Sequence, residues 1–203
     1  MAYLNVAKNP TGNPMDKIHI LIVDSDAKVA ELLANVLIAL DIRNVYTAFD
    51  ANEALQLMQQ QKMDMILTDW ELRPSPASGH NQKHNPLIRL LAEGIPGNGA
   101  EFIRFIRGST ASPNPYACVI MLTGMALKNN VEYARDSGVS EVLVKPVTAE
   151  NLCKRIMLAV DNTRPFVTAP YFRGPCRRRK KPILPEGLIE RRKRDIKIIR
   201  INK

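Results

Sequence analysis

Four short apolar runs each end in a polar residue, and the types of those residues suit one chemistry. Ile20 to Val23 runs into Asp24-Ser25-Asp26, and Met63 to Thr68 runs into Asp69. Cys118 to Leu122 runs into Thr123-Gly124, and Val142 to Val144 into Lys145-Pro146. Carboxylates with a hydroxyl and a lysine are what a Mg²⁺-assisted transfer of a phosphoryl group to a carboxylate requires. Magnesium takes hard oxygen ligands in octahedral geometry and keeps part of its shell for water and phosphate oxygens. In that chemistry Asp69 is the nucleophile that becomes an acyl phosphate. Thr123 hydrogen-bonds a phosphoryl oxygen, and Lys145 sets a point charge against the growing negative charge.

Such residues meet only if the runs that carry them lie side by side. Ile18 to Val23 reads as a strand, followed by helical spacing of Leu32, Leu33, Val36, Leu37 and Leu40, with Ser25 or Asp26 as N-cap. Asn44 to Ala48 is a weaker strand, and Asp50 caps a second helix carrying Ala54, Leu55, Leu57 and Met58. Gly99 to Arg107 presents Phe102, Ile103 and Ile106 on one face, and Met125 to Asp136 reads as a helix closed by Gly138. Thr148 caps a last helix to about Asn162, with Leu152, Ile156 and Val160 inward. Strands alternating with helices give βαβ units, right-handed crossovers and a parallel sheet covered on both faces. Ligands of such α/β sheets sit outside the carboxyl ends of the strands, where Asp24, Asp69, Thr123 and Lys145 all fall.

At these residues the chain resembles the receiver domain of bacterial two-component response regulators. The motifs are ILIVDSD, ILTDW with Asp69, MLTG with Thr123 and LVKP with Lys145, in order on four strand ends. The intervals Ser25 to Asp69 and Thr123 to Lys145 match a typical receiver without gaps, and the family places a cis peptide at the Lys-Pro pair. The resemblance covers about Asp16 to Asn162. It implies a flavodoxin-like (βα)5 fold with a five-stranded parallel sheet in the order 2-1-3-4-5. It also implies a Mg²⁺ site of Asp24, Asp69, the backbone carbonyl of Glu71 and either Ser25 or Asp26. The implied partners are a histidine kinase or phosphotransfer protein as donor and a downstream protein target. The protein is then a phosphoacceptor and not an enzyme with turnover.

Three departures from the family pattern bear on function. The second member of the acidic pair is Ser25, a neutral hydroxyl where the metal usually meets a carboxylate. The Pro-Gly pattern that follows the phosphoacceptor by a few residues in the family reappears only at Pro96-Gly97-Asn98-Gly99, after an insert at residues 73–96. The position that often holds a switch aromatic is Val142. Ser25 favours an alternative, a pseudo-receiver that binds a partner without being phosphorylated. Asp24-Ser25-Asp26 also resembles the Asp-x-Asp opening of haloacid-dehalogenase-type phosphohydrolases, with Asp24 as nucleophile and Asp26 as acid/base. That reading needs an acidic pair after Lys145 that the later acids do not form, and it leaves Asp69 without a role.

Composition separates the chain into two parts. Residues 164–203 hold 14 Lys and Arg against three acids, a net of +11, whereas residues 1–163 hold 15 against 17, a net of −2. The expected organisation is an N-terminal extension (1–15), a receiver (16–163) and an irregular basic C-terminal extension (164–203). The extension carries Pro165, Pro170, Pro175, Pro182 and Pro185, which interrupt any long helix. Its charge suits an acidic partner or nucleic acid, the latter making the chain a nucleic-acid-associated regulator. Only Phe166, Tyr171 and Phe172 are available there to stack on bases, and residues 195–201 alternate like a strand that could add to a sheet edge. No apolar run approaches the ~20 residues of a membrane span. Cys118, Cys153 and Cys176 are odd in number and unrelated in spacing, which argues against a secreted disulfide framework and a zinc knuckle alike. His80 and His84 have no Cys or clustered acid beside them to complete a metal site. A cytoplasmic protein is the expectation.

Overall fold

The apolar runs become strands because both of their faces are covered. The computed structural model describes residues 17–72, 98–110, 112–124, 127–161, 164–177 and 197–199. Its first ten elements are β1 (His19–Val23), α1 (Ala27–Ala39), β2 (Asn44–Ala48), α2 (Ala51–Gln60), β3 (Met65–Asp69), α3 (Asn98–Gly108), β4 (Cys118–Thr123), α4 (Lys128–Asp136), β5 (Glu141–Val144) and α5 (Ala149–Asp161). The strands form one parallel sheet in the order β2-β1-β3-β4-β5, as the resemblance implies. Successive side chains alternate across it. Ile20, Ile22, Met65, Leu67, Ile120 and Leu122 pack with Leu33 and Leu37 of α1 and Leu152 and Ile156 of α5. Leu21, Val23, Ile66, Val119 and Met121 pack on the other face with Met58 of α2, Phe102, Ile103 and Ile106 of α3, and Ala134 of α4.

The helix ends follow local rules. Asp26 caps α1 by accepting the Lys28 amide at 2.9 Å. Asp50 caps α2 through the Asn52 and Glu53 amides at 2.8 and 3.0 Å. Thr148 caps α5 through the Asn151 amide at 3.2 Å. Gly138 leaves α4 at φ +92°, a conformation that a side chain would strain. Helix α4 begins at Lys128, later than expected. The insert with His80 and His84 lies outside the described residues.

The C-terminal extension is not irregular throughout. Phe166–Ala169 (β6) and Phe172–Pro175 (β7) form an antiparallel hairpin, and Lys197–Ile199 (β8) pairs with the free edge of β6. The expectation that the last stretch adds to a sheet edge is met on this second sheet. The prolines that break helices tolerate a hairpin: Pro170 sits in the turn and Pro175 ends an edge strand. Phe166 holds the hairpin down. It is buried, edge-on to Tyr116 with ring centroids 4.8 Å apart, under the Arg107 guanidinium at 5.5 Å. Of the three aromatics proposed for base stacking, only Tyr171 is fully exposed.

Arg107 is itself buried. Its Nε donates to the Gly138 carbonyl at 3.1 Å and its Nη1 to the Pro115 carbonyl at 2.5 Å. Burial lowers its pKa to about 10. Arg164 donates to the Cys176 and Ser140 carbonyls and pairs with Glu141 at 3.5 Å. The hairpin is thus bound to the loops at the amino-terminal rim of β4 and β5.

Candidate functional site

Parallel register carries the four predicted residues to one rim. Asp69 pairs with Leu122, and Thr123 with Val144, so the ends of β3, β4 and β5 are adjacent. β1 lies on the other side of β3, where Val23 pairs with Thr68. Lys145 Nζ is 3.0 Å from Asp24 Oδ2 and 3.0 Å from Asp69 Oδ1. Three residues 45 and 76 positions apart in the chain therefore form one ionic cluster. The Lys145 amide donates to the Thr123 carbonyl at 2.7 Å, which sets the lysine beside Thr123. The Lys145–Pro146 peptide is cis.

The electrostatics follow from two carboxylates sharing one ammonium. Burial, the largest influence, and the nearby Asp24 charge hold the Asp69 carboxyl above its ordinary pKa, although Lys145 pulls it down. Burial also acts most strongly on Lys145, downward, but Asp69 and Asp24 together leave the ammonium above its ordinary value. The lysine stays charged, and one of the two carboxylates is easier to neutralise than a free one. Asp24 is almost fully buried, and its Oδ1 accepts the Asp26 amide at 2.9 Å. That bond fixes the acidic turn.

The remaining predicted ligands separate. Asp26 directs Oδ1 to the Lys28 amide as a cap, while Ser25 follows Asp24 at the rim. Glu71 lies two residues past Asp69 and is exposed. Among the described residues no group of three or more His, Cys, Asp or Glu side chains is gathered at one place. With Ser25 in the acidic turn, the rim offers two carboxylates. Lys145 on both Asp24 and Asp69, with Asp26 acting as a cap, also fits the phosphohydrolase assignment poorly.

Two residues that were not among the predicted site residues shape the site. A Cβ on Gly99 would stand 2.1 Å from the Asp69 carbonyl oxygen, so only glycine lets α3 begin against the end of β3. The Gly99 amide donates to the Trp70 carbonyl at 3.0 Å. Its signal was the Gly-x-Gly pattern at the helix start. Trp70, the chain's single tryptophan, is buried directly beside Asp69. A cavity of about 570 Å³ lies at the opposite rim, among Ile18, Asp64, Cys118, Glu141 and Phe166, and contains none of the predicted site residues.

A doubly wound parallel sheet with two carboxylates, a threonine and a lysine at its carboxyl rim fits the class of receiver-like domains. Residues 20–81 match the response regulator receiver domain. The chain is 26% identical to the chemotaxis protein CheY of Pseudomonas aeruginosa over 138 residues, covering 68% of this chain and 91% of that protein. It is 25% identical to the chemotaxis protein CheY-3 of Vibrio cholerae, covering 68% and 87%. Among solved structures, a putative response regulator from Chloroflexus aurantiacus superposes with a TM-score of 0.54 at 23% identity, over 71% of this chain and 99% of that one. The chemotaxis protein CheY4 of Vibrio cholerae gives 0.53 at 22%, over 70% and 98%. The structures establish the fold. The sequence matches make the chain similar to receiver domains of the response regulator family. Domains of this family serve phosphorelay signalling, are not enzymes in the usual sense, and generally bind Mg²⁺ at the phosphorylation site. No described helix is long and apolar enough to cross a membrane.

Proposed function

We propose that Asp69 accepts a phosphoryl group from the phosphohistidine of a histidine kinase or phosphotransfer protein, and that the phosphorylated domain signals by protein contact. The observation that carries this reading is the placement of Lys145 Nζ 3.0 Å from both Asp24 and Asp69. An Asp69 carboxylate oxygen attacks phosphorus. The phosphorus–imidazole bond breaks with its electron pair staying on nitrogen, which takes a proton from water. Lys145 balances charge on the transferring oxygens, and the Thr123 hydroxyl donates to one of them.

The hard oxygens at the rim fit a magnesium ion. Asp24, Asp69, the Glu71 carbonyl and the Ser25 hydroxyl would hold it, and Asp26 serves the helix instead. When bound, the ion neutralises phosphoryl charge. A neutral hydroxyl in place of a carboxylate weakens that site, which is the specific observation behind the second reading, a pseudo-receiver that binds its partner unphosphorylated. Labelling with acetyl phosphate and Mg²⁺, or with a phosphorylated histidine kinase, separates the two. Incorporation in the wild type and none in Asp69→Asn supports phosphoacceptance. No incorporation from either donor supports the pseudo-receiver.

A further inference from the structure

Helix α4 touches the neighbourhood of the phosphoacceptor with one turn and the C-terminal hairpin with the next. Tyr133 of α4 meets Trp70 edge to face, with ring centroids 6.0 Å apart and planes at 73°. The Trp70 backbone is held on both sides, by the Leu122 carbonyl at 2.8 Å and the Gly99 amide at 3.0 Å. Its ring therefore moves with the backbone that carries Asp69. The Tyr133 hydroxyl donates to Glu101 of α3, and Arg104 lies over the Tyr133 ring at 4.9 Å while pairing with Glu101 at 3.0 Å. Three residues on, Asp136 pairs with Arg177 at 2.5 Å, and the same guanidinium covers the Phe172 ring at 4.6 Å. Beyond the helix, a Cβ on Gly174 would stand 2.7 Å from the Gly138 Cα, so hairpin and helix end are in backbone contact.

A helix of this length moves as a rigid body, and packed interfaces shift between discrete arrangements and do not deform smoothly. We propose that α4 is a lever between Asp69 and the β6–β7 hairpin: phosphorylation displaces Tyr133 from Trp70 and loosens the hairpin, making the C-terminal extension the output element. The proposal rests on Asp69 being the phosphoacceptor. It supplies the ring contact that Val142 does not. Coupling between sites is reciprocal, so the hairpin must also bias the surroundings of Trp70.

That reciprocity gives a test independent of phosphorylation. Trp70 is the chain's only tryptophan, so emission from the full chain reports on its contact with Tyr133. Arg177→Gln and Asp136→Asn are expected to change Trp70 emission, whereas Lys154→Gln on α5 does not. Unchanged emission in both variants overturns the proposal. In the second arm, beryllofluoride with Mg²⁺ stands in for the phosphoryl group, and hydrogen exchange is followed at residues 166–175. The wild type is expected to exchange several-fold faster there, and Tyr133→Ala, while still binding beryllofluoride, is expected to lose the response. Bound beryllofluoride with unchanged hairpin exchange overturns the lever. Failure to bind it contradicts the phosphoacceptor reading instead, and the emission of the Arg177 and Asp136 variants then decides the coupling.

Discussion

The two rims of the parallel sheet use cations in opposite ways. At the carboxyl rim, one lysine is divided between Asp24 and Asp69, so negative charge is in excess. At the amino rim, the arginines bind the chain itself, although Arg107 Nη2 is buried without a hydrogen-bond partner among the described residues. Arg107 donates to the Gly138 and Pro115 carbonyls, Arg164 to the Ser140 and Cys176 carbonyls, and Arg177 pairs with Asp136. A cation outnumbered by carboxylates suits chemistry, and one that donates to backbone carbonyls serves architecture. The basic extension therefore contributes to packing as well as to net charge.

Variants at the two rims should separate activity from stability. The largest effect is expected at the carboxyl rim. Lys145→Met should slow phosphoryl incorporation from acetyl phosphate on the order of 100-fold, the usual loss when one preorganised electrostatic partner is removed. Equal rates in variant and wild type would remove Lys145 from the chemistry. Arg107→Met makes the converse test. It leaves two carbonyls without their donor and should cost about 2–4 kcal/mol in denaturant unfolding, with the incorporation rate unchanged. A stable variant that incorporates slowly would reverse the assignment of the rims.

Smaller effects sharpen the contrast. Ser25→Asp should tighten Mg²⁺ binding about tenfold, a change of about 1.4 kcal/mol, measured by titration of Trp70 emission. Acidification also discriminates. Because burial holds the folded Asp69 pKa above its unfolded value, its ionised form costs stability as pH rises through that folded pKa. Asp69→Asn should therefore unfold at a higher temperature than wild type at neutral pH, with the difference shrinking as acid protonates the wild-type carboxyl. The smallest effect is expected on the exposed face of α5. There Glu150→Gln breaks the i,i+4 pair with Lys154 and should change stability by no more than about 0.5 kcal/mol.

The carboxyl rim was legible in the sequence because each of its residues interrupts an apolar run. Asp24, Asp69, Thr123 and Lys145 are abrupt polar endings, and parallel topology alone suffices to gather them. The amino rim was not legible for the opposite reason. Arg107 looks like an ordinary cation in the last turn of α3, and its burial depends on Phe166, some sixty residues further along. The hairpin was hidden by its composition, since four-residue strands flanked by proline and arginine carry too short an alternation to outweigh the charge. Gly99 and Trp70 were visible in motifs, but their roles depend on how closely α3 and α4 approach β3, and that distance is a property of packing.

The central claim is that this rim holds a phosphoryl group on one aspartate. Borohydride reduction of the full chain after treatment with acetyl phosphate and Mg²⁺ converts an aspartyl phosphate to homoserine, which peptide mass spectrometry locates. The account predicts homoserine at position 69 and nowhere else. Homoserine at position 24, or none under conditions where the protein is folded and Mg²⁺ is saturating, would contradict it.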